Sequence, residues 1–273
     1  MTEKSVPSKG RKSNPEGRMA LKAHLIEARN RLFISLGALL VATIGGFFLY
    51  QPLMDLLIEP VKQYSGEVNY TAVMTSFDMM IKISLFLGLA MSSPVWIYQL
   101  WAFIVPGLKK KERAAALGFA AAAVPLFLMG LAMAVWVIPH ALKFFFMLTP
   151  QNAVNIISVE VYIPFVLRLM LAFGLAMLVP VLMVGLNMIG ILPARLILKN
   201  WRLTVFLIAL VSAMAAPGGD AITMFALAGP LFITFGGATL ICFFNDRKRA
   251  KNKKITEAET EANADIASDL GDL

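Results

Sequence analysis

Cysteine occurs once in 273 residues and histidine twice. The single Cys242 excludes an intrachain disulfide, and it has no thiol partner for a metal site. His24 and His140 are too few and too far apart for an H-E-x-x-H zinc helix, which does not occur. Neither is followed by the pattern of a Ser–His nucleophile pair. A G-x-x-x-x-G-K-[ST] phosphate loop is absent as well. Pro217-Gly218-Gly219-Asp220 approaches an intramembrane aspartyl-protease motif. It has proline where the first glycine belongs, and no second aspartate lies within an apolar run to complete a dyad.

Charge is scarce too, at 15% of residues against 58% hydrophobic, where soluble domains carry about a quarter. The mean hydropathy is +0.72. No charged residue occurs in Ile83–Leu108, Leu117–Ile138, Leu169–Ala194 or Ala221–Asn245. Each run exceeds the roughly 20 residues a helix needs to cross a bilayer. They are apolar on every face, without the period-two alternation of barrel strands, so helices are the expectation. The pattern predicts an all-α polytopic membrane protein with six transmembrane helices, near 32–51, 79–103, 116–138, 161–185, 203–217 and 221–244. The fifth is short, held between Arg202 and the Pro217–Asp220 turn. Pro94, Pro125, Pro180 and Pro230 predict kinks and a concave bundle.

Basic residues give the orientation. The first 31 residues, the 104–116 and 186–202 loops and the tail from Asn245 hold 21 of the 25 Lys and Arg. The opposite loops hold Lys62 and Lys143 against Asp55, Glu59, Glu67, Asp78, Glu160 and Asp220. Both termini are therefore expected in the cytoplasm of a cell whose inner (plasma) membrane the chain crosses. The net charge of +8 reads as a topology signal; no aromatic-interleaved basic groove indicates nucleic acid. Residues 1–18 and 246–273 are expected to be disordered cytoplasmic tails flanking a membrane domain at 19–245. Residues 52–78, with Pro52, Pro60 and Gly66 as breakers, and 139–160 are expected to be outer loops.

Two carboxylates stand in the basic cytoplasmic face. Glu27 sits beside His24, Arg29 and Arg31, and Glu112 lies within Lys109–Arg113. Local neutralisation is one reading, since Glu27 and Arg31 are four apart on a helix. The other is a docking site for guanidinium groups, which carboxylates grip bidentately.

The residues His24-Leu25-Ile26-Glu27-Ala28-Arg29-Asn30-Arg31-Leu32 resemble the H-L-x-E-x-R-x-R entry motif of the TatC family. Ser93 to Leu108, followed by Lys111-Glu112-Arg113, resembles that family's second span and first cytoplasmic loop. Phe173-Gly174 and Val179-Pro180 resemble its fourth span; Pro217, Asp220 and Pro230 resemble its last outer turn. The resemblance covers about residues 19–245. It implies the receptor subunit of the twin-arginine translocase, which exports folded proteins using the proton-motive force, without a cofactor or a catalytic site. Carried over by position, Glu27 and Glu112 would recognise the twin-arginine signal peptide, framed by Lys111, Arg113, Gln99, Phe103, His24 and Arg31. Pro60, Lys82, Pro94 and Asp220 would serve assembly or transport. TatA- and TatB-type single-span subunits would be partners in a hetero-oligomer of several copies. The family's glutamate before Val-Pro in span four is Leu178 here. The alternative is a small-solute secondary transporter, which would want charged groups near the midplane. The spans offer mostly Ser and Thr, with Gln99 and Asn187 toward the cytoplasmic ends.

Overall fold

The computed structural model describes residues 21–64, 66–104, 110–150, 155–188, 190, 192–215 and 221–264. The expected tail at 1–18 and the 265–273 part of the expected 246–273 tail lie outside them, as does the turn containing Pro217 and Asp220. The described chain is a helical membrane bundle. Its elements are α1 (Leu21–Gln63), β1 (Glu67–Asn69), α2 (Thr75–Met91), α3 (Ser93–Ile104), α4 (Lys110–Met147), β2 (Ile156–Ser158), α5 (Val159–Met188), α6 (Ala194–Lys199), α7 (Trp201–Ala215) and α8 (Ala221–Ala264). α1, α4, α5 and α8 are each long and apolar enough to cross a membrane, and the α2–α3 pair makes a fifth crossing bent by 55°. α7 is apolar but has only 15 residues, about 22 Å of helix against a hydrocarbon core of about 30 Å.

The α2–α3 bend has a local cause. Pro94 contributes no N–H, and the helix breaks at Ser92. At the break the Leu89 carbonyl accepts hydrogen bonds from the Trp96 indole N–H at 3.1 Å and the Ser92 hydroxyl at 3.4 Å. Those contacts satisfy a backbone group which lipid could not.

Small residues set the helix spacing. A Cβ on Gly46 would lie 2.5 Å from the Ser84 carbonyl oxygen, and one on Gly88 would run into Thr43. α1 and α2 therefore pack backbone to backbone. Gly130 of α4 meets the Phe173 carbonyl and Gly174 of α5 in the same way. Such close approach is how helices gain contact where lipid is as apolar as leucine. α5 is the most enclosed of the long helices. Its Phe173 and the facing Phe127 of α4 are fully buried at the centre of the main apolar cluster.

Three expectations need correction. Pro52 and Pro60 do not end α1; the helix continues to Gln63. The Tyr162 hydroxyl of α5 donates to the Leu57 carbonyl at 2.8 Å, tying this end of α1 to α5. α4 likewise continues through Pro139 to Met147, well into the expected loop. The two outer segments are then joined by a short parallel pairing of β1 and β2, with Val68 opposite Ile157. The tail from Asp246 is helical as far as Ala264, because its Ala, Lys, Arg and Glu residues all favour helix and extend one already nucleated in the bundle.

Candidate functional site

His24, Glu27 and Arg31 recur at the 3–4 residue spacing that places side chains on one helix face. Gln99 and Phe103 do the same on α3. The two stripes face each other at one end of the bundle. The His24 and Phe103 rings stack with centroids 4.4 Å apart and planes 14° from parallel. Arg31 lies between the helices. Its Nε and Nη2 donate to Glu27 Oε1 at 3.1 and 2.5 Å, and its Nη1 donates to Gln99 Oε1 at 3.1 Å. Arg29 and Asn30 point away and pair with each other on the exposed side.

Glu27 and Arg31 are mostly enclosed, with side chains 21% and 25% exposed. Glu27 Oε2 is buried and has no hydrogen-bond partner among the described residues. An enclosed carboxylate oxygen without a donor is unfavourable by the full cost of its lost hydration. The local ion pair expected from the sequence is present, and it uses one of the two oxygens. The remaining oxygen is an acceptor for an incoming donor, best a cationic one.

α4 begins six residues after Ile104, so its first turn, carrying Lys111, Glu112 and Arg113, stands at this same end of the bundle. The side chains of these three lie outside the described residues. The remaining predicted positions are elsewhere. Lys82 forms an exposed ion pair with Asp78 at 2.6 Å near the start of α2. Pro60 is buried in α1, Pro94 starts α3 beyond the bend, and Asp220 is outside the described residues. Leu178 is 8% exposed within the main apolar cluster.

Sequence reasoning missed a second polar knot at the His24 end. Asp246 of α8 accepts from Asn187 Nδ2 at 2.9 Å and from the Ala194 backbone N–H at 2.7 Å. Asn245 Nδ2 donates to Asn187 Oδ1 at 3.0 Å. Asn187 lies at the end of an apolar run and Asp246 beside a basic one. Each is an unusual polar residue at a span boundary, and that is the only signal the sequence holds.

The sequence model of the family described as Sec-independent protein translocase protein (TatC) matches residues 23–230. A protein of that name from Rothia mucilaginosa is 38% identical, over 97% of this chain and 93% of its own length. One from Xylanimonas cellulosilytica is 39% identical over 89% of each. A crystal structure of the twin-arginine translocase receptor TatC in the detergent DDM is 30% identical. It superposes with a TM-score of 0.71 over 80% of this chain and 99% of its own.

Proposed function

The chain belongs to the TatC family of Sec-independent protein translocase proteins, and from that premise we propose that its Glu27 end is the receptor face for twin-arginine signal peptides. The observation that carries this is the Glu27 carboxylate, with one oxygen held by Arg31 and the other buried without a donor among the described residues. A guanidinium entering from the peptide supplies that donor, and Glu112 on the first turn of α4 is the second carboxylate for the second arginine. Lys111 and Arg113 frame the entrance, and the His24–Phe103 stack gives the apolar stretch after the arginines a surface to lie on. A charge-assisted contact of this kind is worth about 1.5–3 kcal/mol.

In this reading the chain crosses the inner membrane six times, with α7 as the short fifth span and both termini in the cytoplasm. The 21 basic residues on that side support the orientation. The chain acts as a receptor and scaffold, not a catalyst. Single-span TatA- and TatB-type subunits complete the translocase, and the proton-motive force drives export. Pro60, Lys82, Pro94 and Asp220 serve assembly or transport.

Site-specific photocrosslinking at positions 27 and 112 in native membranes tests the site. The probe is a signal peptide carrying Arg-Arg, with a Lys-Lys version as control. Crosslinks with Arg-Arg that vanish with Lys-Lys are expected. Equal or absent crosslinking would overturn the reading and favour a small-solute transporter.

A further inference from the structure

Two cavities run together between α5, α7 and α8. The larger, about 350 Å³, reaches from Val179 and Leu186 of α5 to Leu196 and Asn200 at α6. The smaller, about 150 Å³, continues toward Val211 and Leu231. Val179, Thr204 and Phe235 line both, so they form one half-open apolar groove. Along α5 the groove runs from Ala176 to Leu186, about 15 Å of helix. Leu182, Met183, Leu186, Leu207 and Ile208 give it aliphatic walls, the lining a methylene chain matches.

The end of the groove at α6 is basic. Arg195, Lys199 and Arg202 are exposed, and no acidic residue lies anywhere in 186–202. Lys199 follows the groove-lining Leu196 by three positions, which places it on the same face. None of the three cations pairs with a carboxylate among the described residues. The acid that does stand here, Asp246, is turned inward and consumed by Asn187 and the Ala194 N–H. Arg202 lies over the exposed Trp201 ring, 5.8 Å from its centroid, the kind of aromatic–cation pair that sits at headgroup level.

We propose that this groove is a binding site for an anionic phospholipid. One acyl chain lies between α5 and α7, and the phosphate rests on Arg195, Lys199 and Arg202. The apolar interior excludes water, and the cations, unpaired among the described residues, select for negative charge. A zwitterionic lipid offers the same chain with a neutral headgroup and gains less from that rim. The site is separate from the Glu27 face, and its test involves no signal peptide.

The experiment is thermal unfolding of the full chain in detergent, titrated with phosphatidylglycerol or phosphatidylcholine. Phosphatidylglycerol is expected to raise the Tm well above the phosphatidylcholine control. The exposed-site variant R195Q/K199Q/R202Q should lower the apparent affinity for phosphatidylglycerol by about tenfold or more. Leu196→Trp, at a half-exposed position of the groove wall, should block the chain while leaving the cations in place. It too is expected to abolish the phosphatidylglycerol shift. Equal shifts with the two lipids would overturn the headgroup assignment. An undiminished shift in Leu196→Trp would overturn the groove and leave only diffuse surface attraction.

Discussion

Arg31 binds Glu27 through one carboxylate oxygen and leaves the other enclosed without a partner among the described residues. A purely structural ion pair would be weakened by neutralising the acid. A receptor site with an acceptor left unfilled behaves differently. Glu27→Gln keeps an Oε1 acceptor for Arg31 and replaces the unpartnered anionic oxygen with an amide. Affinity for an Arg-Arg signal peptide is expected to fall about 10- to 100-fold, the equivalent of one charge-assisted hydrogen bond. The Tm should hold or rise. Peptide binding by fluorescence anisotropy and thermal unfolding on the same preparation check both; a lower Tm with unchanged affinity would make the pair structural.

Leu178 occupies the place where the TatC family resemblance leads one to expect a glutamate, and here it is packed in the main apolar cluster. Restoring the acid would bury a carboxylate with no basic residue elsewhere in Leu169–Ala194. Breaking a buried site in this way costs several kcal/mol when the group is ionised. Leu178→Glu is therefore expected to lower the Tm at neutral pH. Thermal unfolding of the parent and the variant at neutral pH checks this. An unchanged Tm at neutral pH would mean that the site admits water.

The apolar runs and the lysine and arginine bias made the helices legible, because the bilayer imposes length and composition directly on the sequence. The His24–Glu27–Arg31 stripe was legible for the same reason that any helix face is: its spacing. What the sequence did not disclose depends on partners distant along the chain. Pro60 reads as a breaker, yet α1 runs through it to Gln63, where Tyr162, 102 positions later, holds the helix at Leu57. Asp246 reads as part of a solvated tail until α6 folds back to present the Ala194 N–H. The pairing of β1 with β2 spans 89 residues, and neither three-residue strand has a pattern long enough to announce itself.

Gly88 carries the α1–α2 contact. A Cβ there would lie 2.9 Å from both Thr43 N and Cα. The Thr43 hydroxyl, bonded to the Leu39 carbonyl at 2.8 Å, could turn aside, but the backbone atoms cannot. Gly88→Ala must push the helices apart, an overpacking cost of about 1–3 kcal/mol. Gly37→Ala is the control, since a Cβ there meets nothing within 4 Å. Unfolding temperatures in detergent should fall for Gly88→Ala and stay level for Gly37→Ala. Equal values would show that α1 and α2 have slack between them.

Glu160 joins α5 to the start of α2 at the opposite end of the bundle, where the Thr75 hydroxyl donates to its carboxylate. The Thr75 hydrogen bond and then that of Thr71 hold its carboxyl below the usual carboxylate range, against the opposing effects of burial and Asp78. A folded-state pKa below the unfolded one means that the link contributes stability above the unfolded pKa. That contribution is lost as pH falls through the folded value. Thr75→Val keeps the shape and removes the main donor. The parent is expected to be more stable than Thr75→Val at pH 7. The gap should narrow as the buffer is taken below about pH 4.3 and the carboxylate is protonated. Thermal unfolding of both proteins from pH 7 down to about pH 3 reads this directly. A gap that stays constant across the series would assign the effect of Thr75 to packing alone.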